Sequence, residues 1–407
     1  MADQFKIENY LAGSFILIEG KKNANNFYII RSGRVKLSKV NPVAAEEPFS
    51  ILGPGDFFGV ISCMSGHARI ESSQAVTDVS LISVEKDRFG LLIQRNPAVA
   101  MKIIRFFSRK LRVFDHAITN ISFTNSIQES PTHLYSIGEY YLKKKAARNA
   151  VYVFQRYLQY CPNGENVDKV ISSLQALKAP LNVEENASQK TMNRTYSDNA
   201  MIFSECEPGN ELFIIQTGKV KITKIVNDEV LLAVLKQGDI FGEMALLDNK
   251  PRSASAISFG DTQVLAINKQ NFELIVQQQP QMATRLIQLL SERIWTAYRQ
   301  LENMLITNDV GRMYDTLLIQ VEKQKIPIEP KTPHNFEIGP TELINMIGIS
   351  PDKGDVLFNT LLDDKNITID SGKIICLDLY DLEKTVKFYK KQTSMERKRE
   401  ESRQKNY

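Results

Sequence analysis

The chain has 407 residues, 43% of them hydrophobic and 24% charged, with 20 glycines and 15 prolines. These globular values exclude a collagen-like, disordered or disulfide-dense chain. At roughly 100–200 residues per domain, the length implies two to four domains. The formal net charge of +4 argues against a uniformly basic nucleic-acid-binding coat and leaves room for a local basic patch. The N-terminus, MADQFKIENYLAGSFILIEG, lacks a basic segment followed by a long apolar run, so it does not read as a secretory signal. No apolar stretch approaches the roughly 18 residues of a membrane span, and the expectation is a soluble cytoplasmic protein with no membrane partner. Cys63, Cys161, Cys206 and Cys376 are dispersed, as are His67, His116, His133 and His334, and no metal-ligand spacing is present.

The chain contains an internal duplication. FYIIRSGRVKLSKV (27–40) resembles LFIIQTGKVKITKI (212–225), and residues 52–75 align without a gap against 235–258. Each copy is a series of short Val/Ile/Phe-rich runs broken by Gly or Asn–Asp, the pattern of a small antiparallel barrel, with Gly33 and Gly218 at tight turns. A helix follows each copy. Ala100, Ile104, Phe107, Leu111, Phe114, Ile118 and Ile121 form one apolar seam. Ala283, Ile287, Leu290, Ile294, Ala297, Leu301 and Met304 form the other. Such spacing serves either a homodimer or packing on the chain's own barrel, and the second seam is expected to dimerise.

Between the copies, Ile137, Gly138, Tyr141, Ala150, Phe154 and Pro162, with Leu134 at the tryptophan position, resemble one tetratricopeptide repeat. The implied structure is a helical hairpin that either spaces the barrels or presents a surface to a partner protein. A further helix is predicted over 166–177, and the polar segment 179–197 reads as a linker.

The second copy carries the most informative segment, FGEMALLDNKPRSASA (241–256). Gly242 lets the backbone approach a ligand closely or take a positive φ. The short helical stretch from Glu243 through Met244 and Ala245 begins with unpaired N–H groups, which favour an anion. Arg252 can fork onto two phosphate oxygens and Ser253 adds a hydroxyl donor. Glu243 cannot hold a phosphate but can accept hydrogen bonds from a sugar hydroxyl. Together they describe a pocket for a phosphorylated sugar with one anionic group.

This segment resembles the phosphate-binding cassette of cyclic nucleotide-binding domains, and the resemblance extends from about Tyr196 to Leu290. It implies that Glu243 holds the ribose 2′-hydroxyl. It also implies that Arg252 and Ser253, with amides near Gly242 and Ala245, hold the cyclic phosphate of 3′,5′-cyclic AMP or cyclic GMP. No metal is implied. In the first copy Arg69 matches Arg252, but Val60 replaces the glutamate and Glu71 adds negative charge, so this barrel reads as degenerate.

Farther on, residues 309–322 are predicted helical. Leu343, Ile344 and Ile347 mark another helix, Gly348 a turn, and Ser350 the cap of a helix reaching about Leu362. ITID and KIICLD, joined at Ser371–Gly372, read as a wing. The arrangement resembles the winged helix-turn-helix of the catabolite-activator family, in which a cyclic nucleotide barrel and a long dimer helix precede it. The resemblance places Arg293 facing the ligand and makes Trp295, Thr296 and Tyr298 candidate base contacts. Double-stranded DNA would be met by Lys353 and Asn359, although the helix PDKGDVLFNTLLDD is acidic where base and phosphate contacts need donors. Gly354 also weakens that helix. The tail, with MERKREESRQK, reads as a solvated helix or disorder.

The expected fold is multidomain α+β. A degenerate barrel (1–122) is followed by a helical hairpin (128–178), a linker (179–197) and a jelly-roll-like cyclic nucleotide-binding barrel (198–282). A connector helix (283–306), a winged helix (307–382) and a charged tail (383–407) complete it. No nucleophile–base pair or paired acid stands out, so a non-enzymatic role is expected. The alternatives are a cyclic nucleotide-gated transcription regulator and a signalling or scaffold protein whose winged helix no longer binds DNA.

Overall fold

The computed structural model describes residues 5–22, 24–43, 46–122, 130–181, 191–225, 228–349 and 351–404. The chain forms two compact units, Met1–Lys86 with Ser291–Tyr407, and Asp87–Leu290.

The first unit opens with a barrel of eight strands: β1 (Lys6–Tyr10), β2 (Phe15–Leu17), β3 (Asn26–Ser32), β4 (Val35–Ser38), β5 (Phe49–Leu52), β6 (Phe57–Phe58), β7 (Ser72–Ala75) and β8 (Val79–Glu85). Helix α1 (Val60–Ser65) lies between β6 and β7. The strands make two four-stranded sheets in the orders β1-β8-β3-β6 and β2-β7-β4-β5. Alternating residues of β8 point inward, and Val79 and Leu81 join Tyr28, Ile30, Val35 and Phe58 in the barrel core.

The second unit begins with α2 (Phe89–Arg95) and α3 (Pro97–Ser122). Helices α4 (Leu134–Lys143), α5 (Ala147–Tyr160) and α6 (Val167–Ala176) follow. A Cβ on Gly138 would fall 2.4 Å from the Phe154 ring, so the glycine is what lets α4 and α5 approach. The hairpin's apolar side, including Leu134, Tyr141, Phe154 and Val170, shares a core with Met201, Cys206, Ile225 and Ile257 of the second barrel. That barrel comprises β9 (Asn193–Tyr196), β10 (Met201–Phe203), β11 (Glu211–Ile225), β12 (Glu229–Lys236), β13 (Ile240–Phe241) and β14 (Ser255–Asn268). Helix α7 (Glu243–Asp248) sits between the last two strands, and α8 (Lys269–Gln278) follows. Strands β11 and β14 are long because each runs through what in the first barrel is two separate strands. Gly33 and Gly218, both at positive φ, occupy the turns expected of them.

The predicted linker is too long. Asn193–Tyr196 pairs with Thr262–Leu265, and Arg194 makes a bidentate ion pair with Glu211 at 2.7 and 2.8 Å, so the barrel begins before residue 198. Residues 182–190 of the linker lie outside the described residues.

Helix α9 (Pro280–Met304) leads into α10 (Asp309–Lys323), β15 (His334–Asn335), α11 (Pro340–Ile347) and α12 (Pro351–Leu362). Strands β16 (Ile367–Asp370) and β17 (Lys373–Cys376) and helix α13 (Leu379–Gln404) end the chain. The strands form a sheet in the order β15-β17-β16, and Ser371 and Gly372, both at positive φ, make the turn. A Cβ on Gly354 would lie 2.3 Å from Ile344, so this glycine permits the crossing of α11 and α12 rather than merely weakening a helix. Ser350 lies outside the described residues. The tail is not only solvated: Val386 of α13 is buried in one core with Met313, Leu317 and Phe336, and Tyr389 packs against it. Most of both seams is buried within the chain, including Ala100, Ile104, Phe107, Leu111 and Phe114, and Ala283, Ile287, Leu290, Ile294, Ala297 and Leu301, whereas Ile121 at the end of the first is 49% exposed. Among the described residues no helix is long and apolar enough to cross a membrane, and no group of three acidic, His or Cys side chains could hold a metal ion.

Candidate functional site

The second barrel gathers the predicted cassette residues around α7. Gly242 has φ 75° and ψ 1°, a left-handed conformation that ends β13 and starts the helix. Glu243 is 1% exposed, Met244 and Ala245 are buried, and Ser253 is half-buried. Arg252 is 4% exposed. Its guanidinium donates to the Gly242 carbonyl and lies 4.2 Å from the centre of the Phe203 ring, while its Nε has no partner. Burial lowers its pKa, and Glu207, Tyr152, Glu211 and Glu243 oppose that shift. A buried cation with one hydrogen bond and spare donors is poised to receive an anion.

Three supports of Arg252 escape sequence reasoning. A Cβ on Gly209 would fall 2.4 Å from the Arg252 Cζ and Nε, so Gly209 is the floor on which the guanidinium rests. The Cys206–Glu207 segment is tied to the backbone of Arg252 through the bonds Arg252 N to Glu207 O (2.8 Å) and Cys206 N to Arg252 O (2.9 Å). The Glu207 carboxylate, pushed toward the neutral form by burial, accepts from Tyr152 of α5 and lies 3.8 Å from Arg156. None of these residues carries a local spacing signal.

The first barrel repeats the geometry with different chemistry. Gly59 has φ 77° and ψ 3°, Val60 is buried in place of the glutamate, and Arg69 is 3% exposed. Arg69 donates to Gly59 O at 3.0 Å, to Asn26 O at 2.7 Å and to Asn26 Oδ1 at 3.1 Å.

Of the α9 residues expected around the second pocket, two pack on residues of the first barrel. Trp295 and Tyr298 belong to the unit of the first barrel. Trp295 stacks on His67 with ring centres 3.6 Å apart, and Lys39 lies 4.0 Å over the Tyr298 ring. Arg293 and Thr296 belong to that unit as well, Arg293 exposed and Thr296 half-buried. On α12, Asn359 is exposed, while Lys353 is paired with Asp309 at 2.7 Å.

Residues 7–96 and 193–279 each match the family described as cyclic nucleotide-binding domain. Over 183 residues the chain is 28% identical to the cyclic AMP receptor protein of Thermus thermophilus, covering 44% of this chain and 82% of that protein. It is 30% identical over 119 residues to a CRP-like cAMP-activated global transcriptional regulator of Mycobacterium tuberculosis, covering 29% of this chain and only 53% of the relative. Among solved structures, the catabolite activator protein of T. thermophilus aligns at 26% identity over 48% of this chain and 90% of that one, with a TM-score of 0.28. The regulatory domain of Toxoplasma gondii PKA with cAMP aligns at 18% identity over 67% and 82%, with a TM-score of 0.21. Two β-sheet domains of the chain thus match the cyclic nucleotide-binding family, and parts of the chain are similar to cAMP-responsive regulators.

Proposed function

We propose that the chain is a non-enzymatic, cytoplasmic, cyclic nucleotide-responsive transcription regulator of the catabolite-activator type. The effector is 3′,5′-cyclic AMP or cyclic GMP, held in the second barrel. The observation that carries this reading is Arg252: a buried guanidinium with an unpartnered Nε, above Gly209 and beside Gly242, in a segment matching the cyclic nucleotide-binding family. Arg252 and Ser253 supply donors for the cyclic phosphate, and the buried Glu243 is the acceptor for the ribose 2′-hydroxyl. A ligand acts only through different affinities for two states of the protein. Here α9 follows the barrel and leads into the C-terminal helices, read as a winged helix, so it is the element through which a change would pass. Calorimetry with cyclic AMP and cyclic GMP tests the pocket, and absence of binding by both overturns the reading.

A second reading keeps the effector and drops the DNA. Lys353, the one basic residue near the start of α12, is neutralised by Asp309, and the exposed side of that helix presents Val356, Asn359 and Thr360. A reader of guanine edges or phosphates needs free donors there. A DNA titration at low salt separates the two: binding that weakens steeply with salt supports the regulator, and none supports a signalling or scaffold role. The hairpin's apolar side is buried against the second barrel, so a partner protein would meet its exposed polar side.

A further inference from the structure

Arg112 lies on α3, the helix that follows the first barrel, yet its partners are in the cassette of the second. Its Nε donates to Asp248 Oδ2 at 2.6 Å, its Nη2 to Asp248 Oδ1 at 3.1 Å and its Nη1 to Pro251 O at 3.0 Å. Both side chains are almost fully buried, 2% and 3% exposed. Asp248 is the last residue of α7, and Pro251 immediately precedes Arg252. One guanidinium therefore fastens the end of the cassette helix to the residue before the phosphate-facing arginine and closes the short turn between them.

The converse exists in the other unit. On the gap-free register that pairs Arg69 with Arg252, Arg112 pairs with Trp295 of α9. Trp295 stacks on His67, whose Nε2 lies 2.7 Å from the Glu292 carboxylate of the same helix. His67 stands two residues before Arg69, in the turn equivalent to the one that Arg112 closes. Each repeat's cassette turn is thus held by the helix belonging to the other repeat.

We propose that the two repeats have exchanged their connector helices, so that a single chain completes the second site by itself, with Arg112 as its positioning residue. The proposal deepens the reading of that barrel as a cyclic nucleotide site and rests on it for its ligand. Arg112 sets the turn from which Arg252 projects. Occupancy of the second site is therefore coupled to α3, and coupling of this kind spans about 5- to 150-fold in affinity.

The test is calorimetry with cyclic AMP and cyclic GMP on the full chain and on Arg112→Met, Arg112→Lys and Asp248→Asn, with thermal midpoints recorded alongside. Arg112→Met is expected to weaken binding by about 10- to 100-fold, with Arg112→Lys intermediate. Binding of folded Arg112→Met within about threefold of the parent overturns the positioning role. If Arg112→Met does not fold, Asp248→Asn, which keeps the side-chain shape, carries the same criterion. Mixing Arg112→Met chains with Arg252→Ala chains tests the exchange: no recovery is expected, and recovery of one site per mixed dimer means that α3 comes from a second copy. If the parent binds neither nucleotide, the proposed function fails by itself. Amide exchange over residues 243–253 then decides the clasp in the unliganded chain. Faster exchange in Arg112→Met supports it and unchanged exchange overturns it.

Discussion

Replacing Arg252 by methionine separates binding from folding. In the parent, the Arg252 guanidinium makes one hydrogen bond, to Gly242 O, leaves Nε without a partner and rests on the Phe203 ring. Methionine keeps the contact with Phe203 and Phe213 and removes a buried cation that is poorly satisfied. The lost hydrogen bond and the relieved desolvation oppose each other, so the unliganded stability should move by no more than about 1 kcal/mol. Binding should behave differently. Two charge-assisted bonds to a phosphate, each about 1.5–3 kcal/mol, sum to roughly 3–6 kcal/mol. At 1.4 kcal/mol per tenfold, that is a loss of about 100- to 20,000-fold in affinity. Calorimetry reads the affinity and thermal unfolding reads the stability. The ligand-induced rise in midpoint, which depends on ligand concentration over Kd, should vanish in the variant. Binding within about threefold of the parent refutes the role of Arg252. So does a loss of more than about 3 kcal/mol in unliganded stability, which would make this arginine structural.

Arg69→Ala should leave the stoichiometry of one cyclic nucleotide per chain unchanged, and a parent stoichiometry of two would show that the first barrel binds as well. Gly138→Ala gains helix propensity of about 1 kcal/mol but drives a Cβ to 2.4 Å from Phe154, an overpacking cost of about 1–3 kcal/mol. Urea unfolding should therefore show net destabilisation, and a more stable variant would contradict the packing argument. Asp315 accepts from Arg299 at 2.9 Å and is buried. Burial raises its pKa, but Arg299 and Lys390 outweigh it and hold the carboxyl below its ordinary value. Its contribution is complete above about pH 4 and lost as pH falls through the folded value. Asp315→Asn should cost about 3–5 kcal/mol near neutrality and flatten the acid limb of stability against pH; an unchanged acid limb would remove Asp315 from the account. Asp309→Asn frees Lys353, and if α12 meets DNA, affinity should rise and the salt slope steepen by about 1; no change would favour the reading without DNA.

The cassette was legible because its chemistry is local: Gly242, Glu243 and Arg252 lie within one short segment, and their types name a phosphorylated sugar. Gly209, Tyr152 and Arg112 were not legible, because each reaches the site through the fold from a distant segment. Trp295 and Tyr298 show the limit of the resemblance, which made them candidate base contacts of the second pocket, whereas Trp295 stacks on His67 and Tyr298 lies under Lys39. Strand β9, NRTY, is short, polar and at a sheet edge, where burial writes no alternation into the sequence. The helix α13 hides its few core anchors, Leu379, Leu382 and Val386, ahead of a long charged stretch.

The two buried arginines explain how one repeat can serve a ligand while its twin serves the fold. Arg69 gives three hydrogen bonds to main-chain and side-chain oxygens of Gly59 and Asn26, whereas Arg252 gives one. Asn26 is itself anchored, donating to Tyr28 and Ser83, so its oxygen is held against Arg69. The Nε of Arg69 is unpartnered like that of Arg252, but an anion entering the first barrel must displace the acceptors that already hold both Arg69 Nη atoms, at about 0.5–1.5 kcal/mol for each bond. It would also find Val60 where a sugar hydroxyl needs an acceptor, and a half-buried Glu71 nearby. An anion entering the second barrel meets spare donors and a buried carboxylate. The same residue at the same backbone geometry thus takes opposite roles, and the difference lies in whether the surrounding protein has already supplied the acceptors.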